Sequence, residues 1–353
     1  MVETLLRGEP LGLPVPAAWL YALKVFGFVL HMIFMNLWLA GMPTALLLGS
    51  SKHRVSQRLF KAMPFFVAFG INAGIVPLLF LQTLYPQFFY PATVLQAWFW
   101  FLIIPLLIVA YYAVYLAAFN RFRIAAAALA SILFIWIGLT FSSAMSLTAA
   151  PEQWPAIFSA TAEAGSVHGR YLYLNAEALL RFLIMAGMSF GTLAAFLALD
   201  GEVFTANAAY KNEARRLVAP LYLLGFVVFA GAALVYAPAV KESLPQWLWF
   251  FAAACMPVGA LLSIIYWRRP AKQIACSLVL VQFIALLANA LARQSVQSLS
   301  LEKWARVDAM PVRGDWDSLI LFFVVLLIVL FSLAWLARVV LRADHGDGSV
   351  KNV

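Results

Sequence analysis

VFGFVLHMIFMNLWLAGM, residues 25–42, is a stretch in which His31 is the only titratable side chain. It lies inside an apolar run from 17 to 49, longer than the ~20 residues a helix needs to cross a bilayer. Lipid offers no partner to backbone N–H and C=O groups, and the run is too long for a barrel strand, so it must be a helix. No small-residue cleavage site follows a short apolar core, which makes the run a span and not a removable signal.

The rest of the chain reads the same way. Of 353 residues, 65% are hydrophobic and 11% charged, against about 25% charged in a soluble domain. No polar shell can cover so much apolar surface, which excludes a soluble enzyme, a disulfide scaffold and a nucleic-acid binder. Further runs at 58–84, 91–118, 124–148, 171–199, 217–239, 246–267, 272–292 and 317–340 give nine spans in all. The expected fold is therefore all-α, a polytopic membrane bundle forming one integral domain over 1–343, with a disordered tail at 344–353.

The net charge of +9 reports topology. Of the 24 Lys and Arg residues, 15 fall on one side, in connections such as Lys52 to Lys61 and Lys211 to Arg216 and in the C-terminal Arg338, Arg342 and Lys351. Arg7, Arg170, Lys241, Arg293, Lys303, Arg306 and Arg313 fall on the other. The positive-inside rule then puts the N-terminus outside and the C-terminus in the cytoplasm of a bacterial inner membrane. The outer connections 148–170 and 294–316 are long enough for short amphipathic surface helices. Cys255 and Cys276 lie in apolar runs and read as small buried hydrophobes.

Charged or titratable groups inside spans are costly and mark function. Four stand out: Lys24, His31, Glu177 and Arg181. Lys24 and His31 are seven apart, about 20° from one another on one helix face. Glu177 and Arg181, four apart, can form an ion pair. All four belong to the outer half of the membrane. An imidazole near cations in dry surroundings suits haem, with nitrogen bound to iron and basic side chains offsetting the propionates. The plainer reading has His31 hydrogen-bonded to a neighbouring helix through Asn36, Asn72 or Asn175, with Glu177 and Arg181 a structural pair. Met32, Met35, Met185 and Met188 offer thioethers or simple packing. There is no covalent haem motif, zinc spacing or phosphate loop. Gly70, Gly74 and Pro77 break the second span as in a transporter, without a matching break in a second half.

At these residues the chain resembles subunit I of the cytochrome bd quinol oxidases. Residues 25–42 are similar to that family's first helix, where His31 matches a haem-ligating histidine; Phe69, Gly70, Ile71 and Asn72 match the opening of its second; and ALARQ, 290–294, is similar to the outer end of its eighth. Nine helices with an outside N-terminus also agree. The departures are equally definite. Ile184 stands in the stretch where the family has a histidine ligand on the fifth helix, Met256 is the nearest counterpart of a methionine ligand, and Ala290 replaces a ligating acid. In the second-helix acidic region Gln82 remains near Phe80. The long quinol-binding loop shrinks to about 240–245.

The resemblance implies a retained scaffold without oxygen-reductase activity. It implies, in turn, a bd-like subunit of a respiratory electron-transfer complex binding haem b near the outer face. His31 would be the iron ligand; Lys24, Arg181 and Arg293 would offset propionates; Glu177 would hold Arg181 or carry protons. Electrons would pass between a quinone pool and an outer c-type cytochrome, and the subunit would pair with itself or a homologue in a homo- or hetero-dimer. The other readings are a haem-free scaffold for cytochrome-bearing partners and a proton-coupled transporter using Glu177 and Arg181.

Overall fold

The computed structural model describes residues 12–49, 53–240, 244–314 and 316–346. It is an all-helical bundle. In chain order the helices are α1 Ala17–Leu47, α2 Arg54–Leu84, α3 Pro86–Ala118, α4 Arg123–Thr148, α5 Trp154–Thr161, α6 Ala176–Leu199, α7 Ala208–Val240, α8 Gln246–Arg268, α9 Lys272–Glu302 and α10 Trp316–Gly346. Seven of them, α1–α4, α6, α7 and α9, are long and apolar enough to cross a membrane, with α6 counted through Phe204. Two shorter apolar segments, Ala253–Arg268 and Trp316–Ser332, lie in α8 and α10. The chain is thus a multi-pass membrane protein, and most of its large exposed side chains are the apolar ones lipid would cover. Of the basic residues counted for topology, Arg7, Lys52, Lys241 and Lys351 lie outside the described residues, as do 347–353 of the expected tail.

The expected boundaries hold to within about six residues except at α7, which begins at Ala208 and not near 217, and at α9. The apolar run stops near 292, yet the helix continues to Glu302. Nothing between 293 and 302 is Gly or Pro, so the intrahelical ladder has no reason to end there. Arg293 therefore sits inside a helix and not in the outer connection, which reduces to 303–315 with one 3₁₀ turn at Val307–Ala309. The other expected surface helix exists as α5, followed by a hairpin of Ala162–Glu163 and Ser166–Val167. Cys255 is buried, whereas Cys276 is exposed among apolar neighbours on α9; an unpaired thiol is apolar enough to stand there.

Two kinds of contact fix the helices. Close approach depends on small residues: a Cβ on Gly187 of α6 would lie 2.6 Å from the Phe229 amide nitrogen of α7, the small-residue packing by which membrane helices associate. Buried polar side chains supply the second kind. Asn36 of α1 donates to Thr192 of α6 at 2.9 Å, Gln282 of α9 donates to the same hydroxyl at 3.1 Å, and Tyr222 of α7 donates to Gln282 at 2.7 Å. These bonds tie four helices in one plane, where unpaired groups would be costly.

At the basic end a π turn, Asp200–Phe204, extends α6. Asp200 there takes two hydrogen bonds from Arg58 of α2, both 2.5 Å, and one from the Tyr210 hydroxyl of α7. At the opposite end α3 is bent: Ala97 has φ 3° and ψ −68° inside the helix. The break frees the amide of Trp98, which donates to Gly169 O at 2.8 Å. Such a break at membrane depth needs a replacement acceptor. Gly169 supplies it from a left-handed φ of +66°, with its Cα so close to Ala97 that a Cβ would meet the alanine methyl at 2.6 Å.

Candidate functional site

One large cavity, about 1130 Å³, opens among α1, α2, α3, α4, α6, α7, α8 and α9. It exceeds the roughly 300–1,000 Å³ of ordinary ligand and cofactor pockets. Lys24, His31, Arg181 and Arg293 all line it, although they come from three helices. Glu177 does not line it but ion-pairs with Arg181, Oε1 to Nη2 at 2.5 Å. The sequence spacing pairs Lys24 with His31 and Glu177 with Arg181; the fold brings Lys24, His31, Arg181 and Arg293 to one chamber, with Glu177 behind Arg181.

His31 is held by backbone. Its Nδ1 lies 2.8 Å from Gly70 O on α2, where it can only donate, which fixes the imidazole with its proton on Nδ1. The oxygen is within reach because α2 is stripped of side chains opposite the ring. A Cβ on Gly74 would lie 2.7 Å from Nδ1. None of the three asparagines expected as partners bonds to the ring. Asn36 donates to Thr192, Asn72 to Ala68 O at 2.8 Å, and Asn175 to Tyr173 at 3.0 Å while capping α6. His31 Nε2 has no hydrogen-bond partner among the described residues, so its lone pair remains available.

The three cations are held differently. Arg181 donates through Nε to the Tyr236 hydroxyl at 2.9 Å and through Nη1 to Ser146 Oγ at 3.5 Å, besides its bond to Glu177. Lys24 donates to Gln297 Oε1 at 2.5 Å and lies 5.3 Å from the centre of the Tyr85 ring. Arg293 lies over the Phe28 ring at 5.0 Å and bonds to no carboxylate among the described residues. Three basic side chains thus border a cavity with no carboxylate among its lining residues, and Glu177 reaches it only through Arg181.

A polar arc joins them at the far end. The Tyr21 and Tyr85 hydroxyls are 3.2 Å apart, Tyr85 reaches Ser298 at 3.1 Å, and Gln294 donates to Ser298 at 2.8 Å. Burial pushes the Tyr85 phenol up, so it stays protonated. Gln294 Oε1, buried and on the cavity wall, has no hydrogen-bond partner among the described residues. Sequence reading missed Tyr236, Gln294 and Gln297. Asn289, Arg293 and Gln297 stand at i, i+4 and i+8 and all line the cavity, a polar stripe that is visible once α9 runs past 292.

Among the described residues no three His, Cys, Asp or Glu side chains converge as a metal site. Ile184, Met256 and Ala290, the positions matched to family ligands, all lie on the cavity wall, as do Met32, Met35, Met185 and Met188. No known family and no curated protein matches the chain.

Proposed function

We propose that this protein is a diverged bd-like subunit of a respiratory electron-transfer complex that binds one haem b in the cavity, with His31 as axial ligand. Nine spans, an outside N-terminus and a bacterial inner membrane complete the reading. The observation that carries it is the anchored imidazole. A metal-ligating histidine usually gives its other ring N–H to a carbonyl or carboxylate, which sets the tautomer and orients the ring; Gly70 O takes that proton here. The residues fit the group in three further respects: the chamber is large, its walls are mainly apolar, and its basic side chains outnumber its acids.

When bound, haem supplies one-electron chemistry, with a potential set by its ligand, burial and nearby charge. The chain's own residues do the rest. Lys24 and Arg293 present cationic donors to two carboxylates. Arg181 is held in place by Glu177, Tyr236 and Ser146. The aromatic and aliphatic walls exclude water, which strengthens each charge interaction. A haem held this way would let the subunit exchange electrons between a quinone pool and an outer c-type cytochrome.

The test is an optical spectrum of protein purified after expression with haem supplied. Dithionite reduction should give an α-band, and His31→Ala should abolish it. No band in the parent protein would overturn the assignment.

A second reading has its own observation. Residues of α10 from Ile320 to Phe331 are exposed on nearly every side, and an apolar helix with so little of this stretch covered suits a subunit that anchors others. In that case the protein is a haem-free scaffold that co-purifies stoichiometrically with cytochrome-bearing partners and has no pigment of its own.

A further inference from the structure

At the basic end of the bundle, cations gather that no acid there neutralises. Arg268, Arg269 and Lys272 fall within five residues at the turn from α8 to α9, where Pro270 stops α8 and keeps Arg269 extended at φ −135° and ψ 83°. Arg215 of α7 is joined to this turn. It donates through Nε to Trp267 O at 2.6 Å and through Nη2 to Arg268 O at 3.0 Å, so a guanidinium caps the last carbonyls of α8, and Arg216 follows it in the chain. The carboxylates of this end are engaged elsewhere. Asp200 is held by Arg58 and Tyr210, Glu202 accepts from the Tyr266 hydroxyl at 2.9 Å, and Glu213 accepts from the amides of Arg54 and Val55 at 2.7 and 3.2 Å. None of the five cations has an ion pair among the described residues. A topology signal needs only charge on one side of the membrane; it does not need five unpaired cations on two adjoining elements.

Beside these cations the helix surfaces are apolar and uncovered. On α8, Val258, Leu261 and Ile265 are 45%, 58% and 37% exposed, and at 100° per residue they share an arc of about 80° with Arg268. On α9, Cys276, Leu280, Phe283 and Leu287 are exposed and lie within a similar arc of Lys272, about 80° wide. Each helix thus carries a cation at its basic end and an open apolar stripe leading away from it. From Arg268 back to Val258 the stripe runs about 15 Å at 1.5 Å per residue, half of the ~30 Å hydrocarbon core and so the depth of one leaflet.

We propose that this end of the protein binds a phosphate-headed anionic lipid of the adjoining leaflet, with its head among the cations of the α8–α9 turn and its two acyl chains along the stripes of α8 and α9. Guanidinium groups present paired N–H donors that match phosphate oxygens, and basic clusters at the ends of membrane helices hold anionic headgroups. Charge and stripe together select the guest. A nucleic acid or an acidic protein would use the cations and leave the stripes bare, whereas a zwitterionic lipid would cover the stripes without supplying the net negative charge the cations lack. The site is independent of whatever fills the cavity at the opposite end.

The experiment incubates the detergent-purified protein with equal amounts of phosphatidylglycerol and phosphatidylcholine, removes excess by gel filtration, and quantifies each lipid per chain. The parent should retain phosphatidylglycerol over phosphatidylcholine by at least about fivefold. Arg268→Gln, Arg269→Gln and Lys272→Gln together should bring that ratio to about one. Lys272→Gln alone should roughly halve it and serves if the triple variant does not fold. Lys303→Gln, Arg306→Gln and Arg313→Gln together remove the same charge from the opposite end and should leave the ratio unchanged. Equal retention of the two lipids by the parent would overturn the proposal, as would an unaltered ratio in the basic-end variants. An equal fall in both triple variants would overturn it too, by making the preference a matter of net charge. So would retention of a thymidine oligonucleotide by a parent that holds no excess of phosphatidylglycerol, which would assign the cations to a soluble polyanion.

Discussion

Each end of the bundle has an arginine bonded to a carboxylate, and the two are built for different purposes. At the basic end Arg58 grips Asp200 through two nitrogens, Tyr210 adds a third donor, and the carboxylate side chain is 4% exposed. Nothing is left over: one acid meets one guanidinium across three elements. At the cavity end Glu177 is 42% exposed, and Lys24 and Arg293 stand nearby with no acid of their own. The first arrangement is a closed clasp. The second leaves Lys24 and Arg293 without an acid of their own, a surplus of basic groups suited to an anionic guest.

Breaking the clasp should have the largest effect. Asp200→Ala strands a guanidinium and a phenol and should cost about 2–4 kcal/mol, below the 3–5 of a fully buried pair because Arg58 is partly solvated; thermal unfolding in detergent measures it. Gly187→Val comes next, since its side chain would press on the α7 backbone. Overpacking of that kind costs about 1–3 kcal/mol, read by the same melt. Gly74→Val acts on function more than stability: it pushes the His31 ring away from Gly70 O and should remove most of the α-band while the protein remains monodisperse.

Arg293→Met sharpens the comparison by opposite signs. In pigment-free protein it should leave stability unchanged or raise it, because a guanidinium without an acid is costly to hold in apolar surroundings. In pigmented protein it should lower the midpoint potential, by about 60 mV for each ~1.4 kcal/mol of lost interaction. A potentiometric titration beside a melt reads both. Glu177→Gln should have a small effect on stability, under ~1 kcal/mol, because the glutamate is 42% exposed and glutamine can still accept from Arg181.

The pairs on single helices were legible in the sequence because spacing alone defines them: seven residues for Lys24 and His31, four for Glu177 and Arg181. Their meeting was not, since it depends on which faces of α1 and α6 turn toward each other. Arg293 was named but placed in a connection. Hydropathy falls off at 292 because the following residues are polar, yet polarity on one face of a helix beside a cavity is not a loop. The anchor of His31 could not be read at all. Its partner is a backbone oxygen, and Gly70 and Gly74 register in a sequence only as helix breakers. The bend at Ala97 is equally silent, for it is set by a carbonyl 72 residues away at Gly169.

That bend has a mechanical consequence. The hairpin at 162–167 is continuous in backbone with Gly169, whose oxygen holds the amide of Trp98. A protein that seats itself on the hairpin from the aqueous side therefore grips the peptide on which the lean of α3 depends. The outer hairpin and the course of α3 are thus tied together by one hydrogen bond.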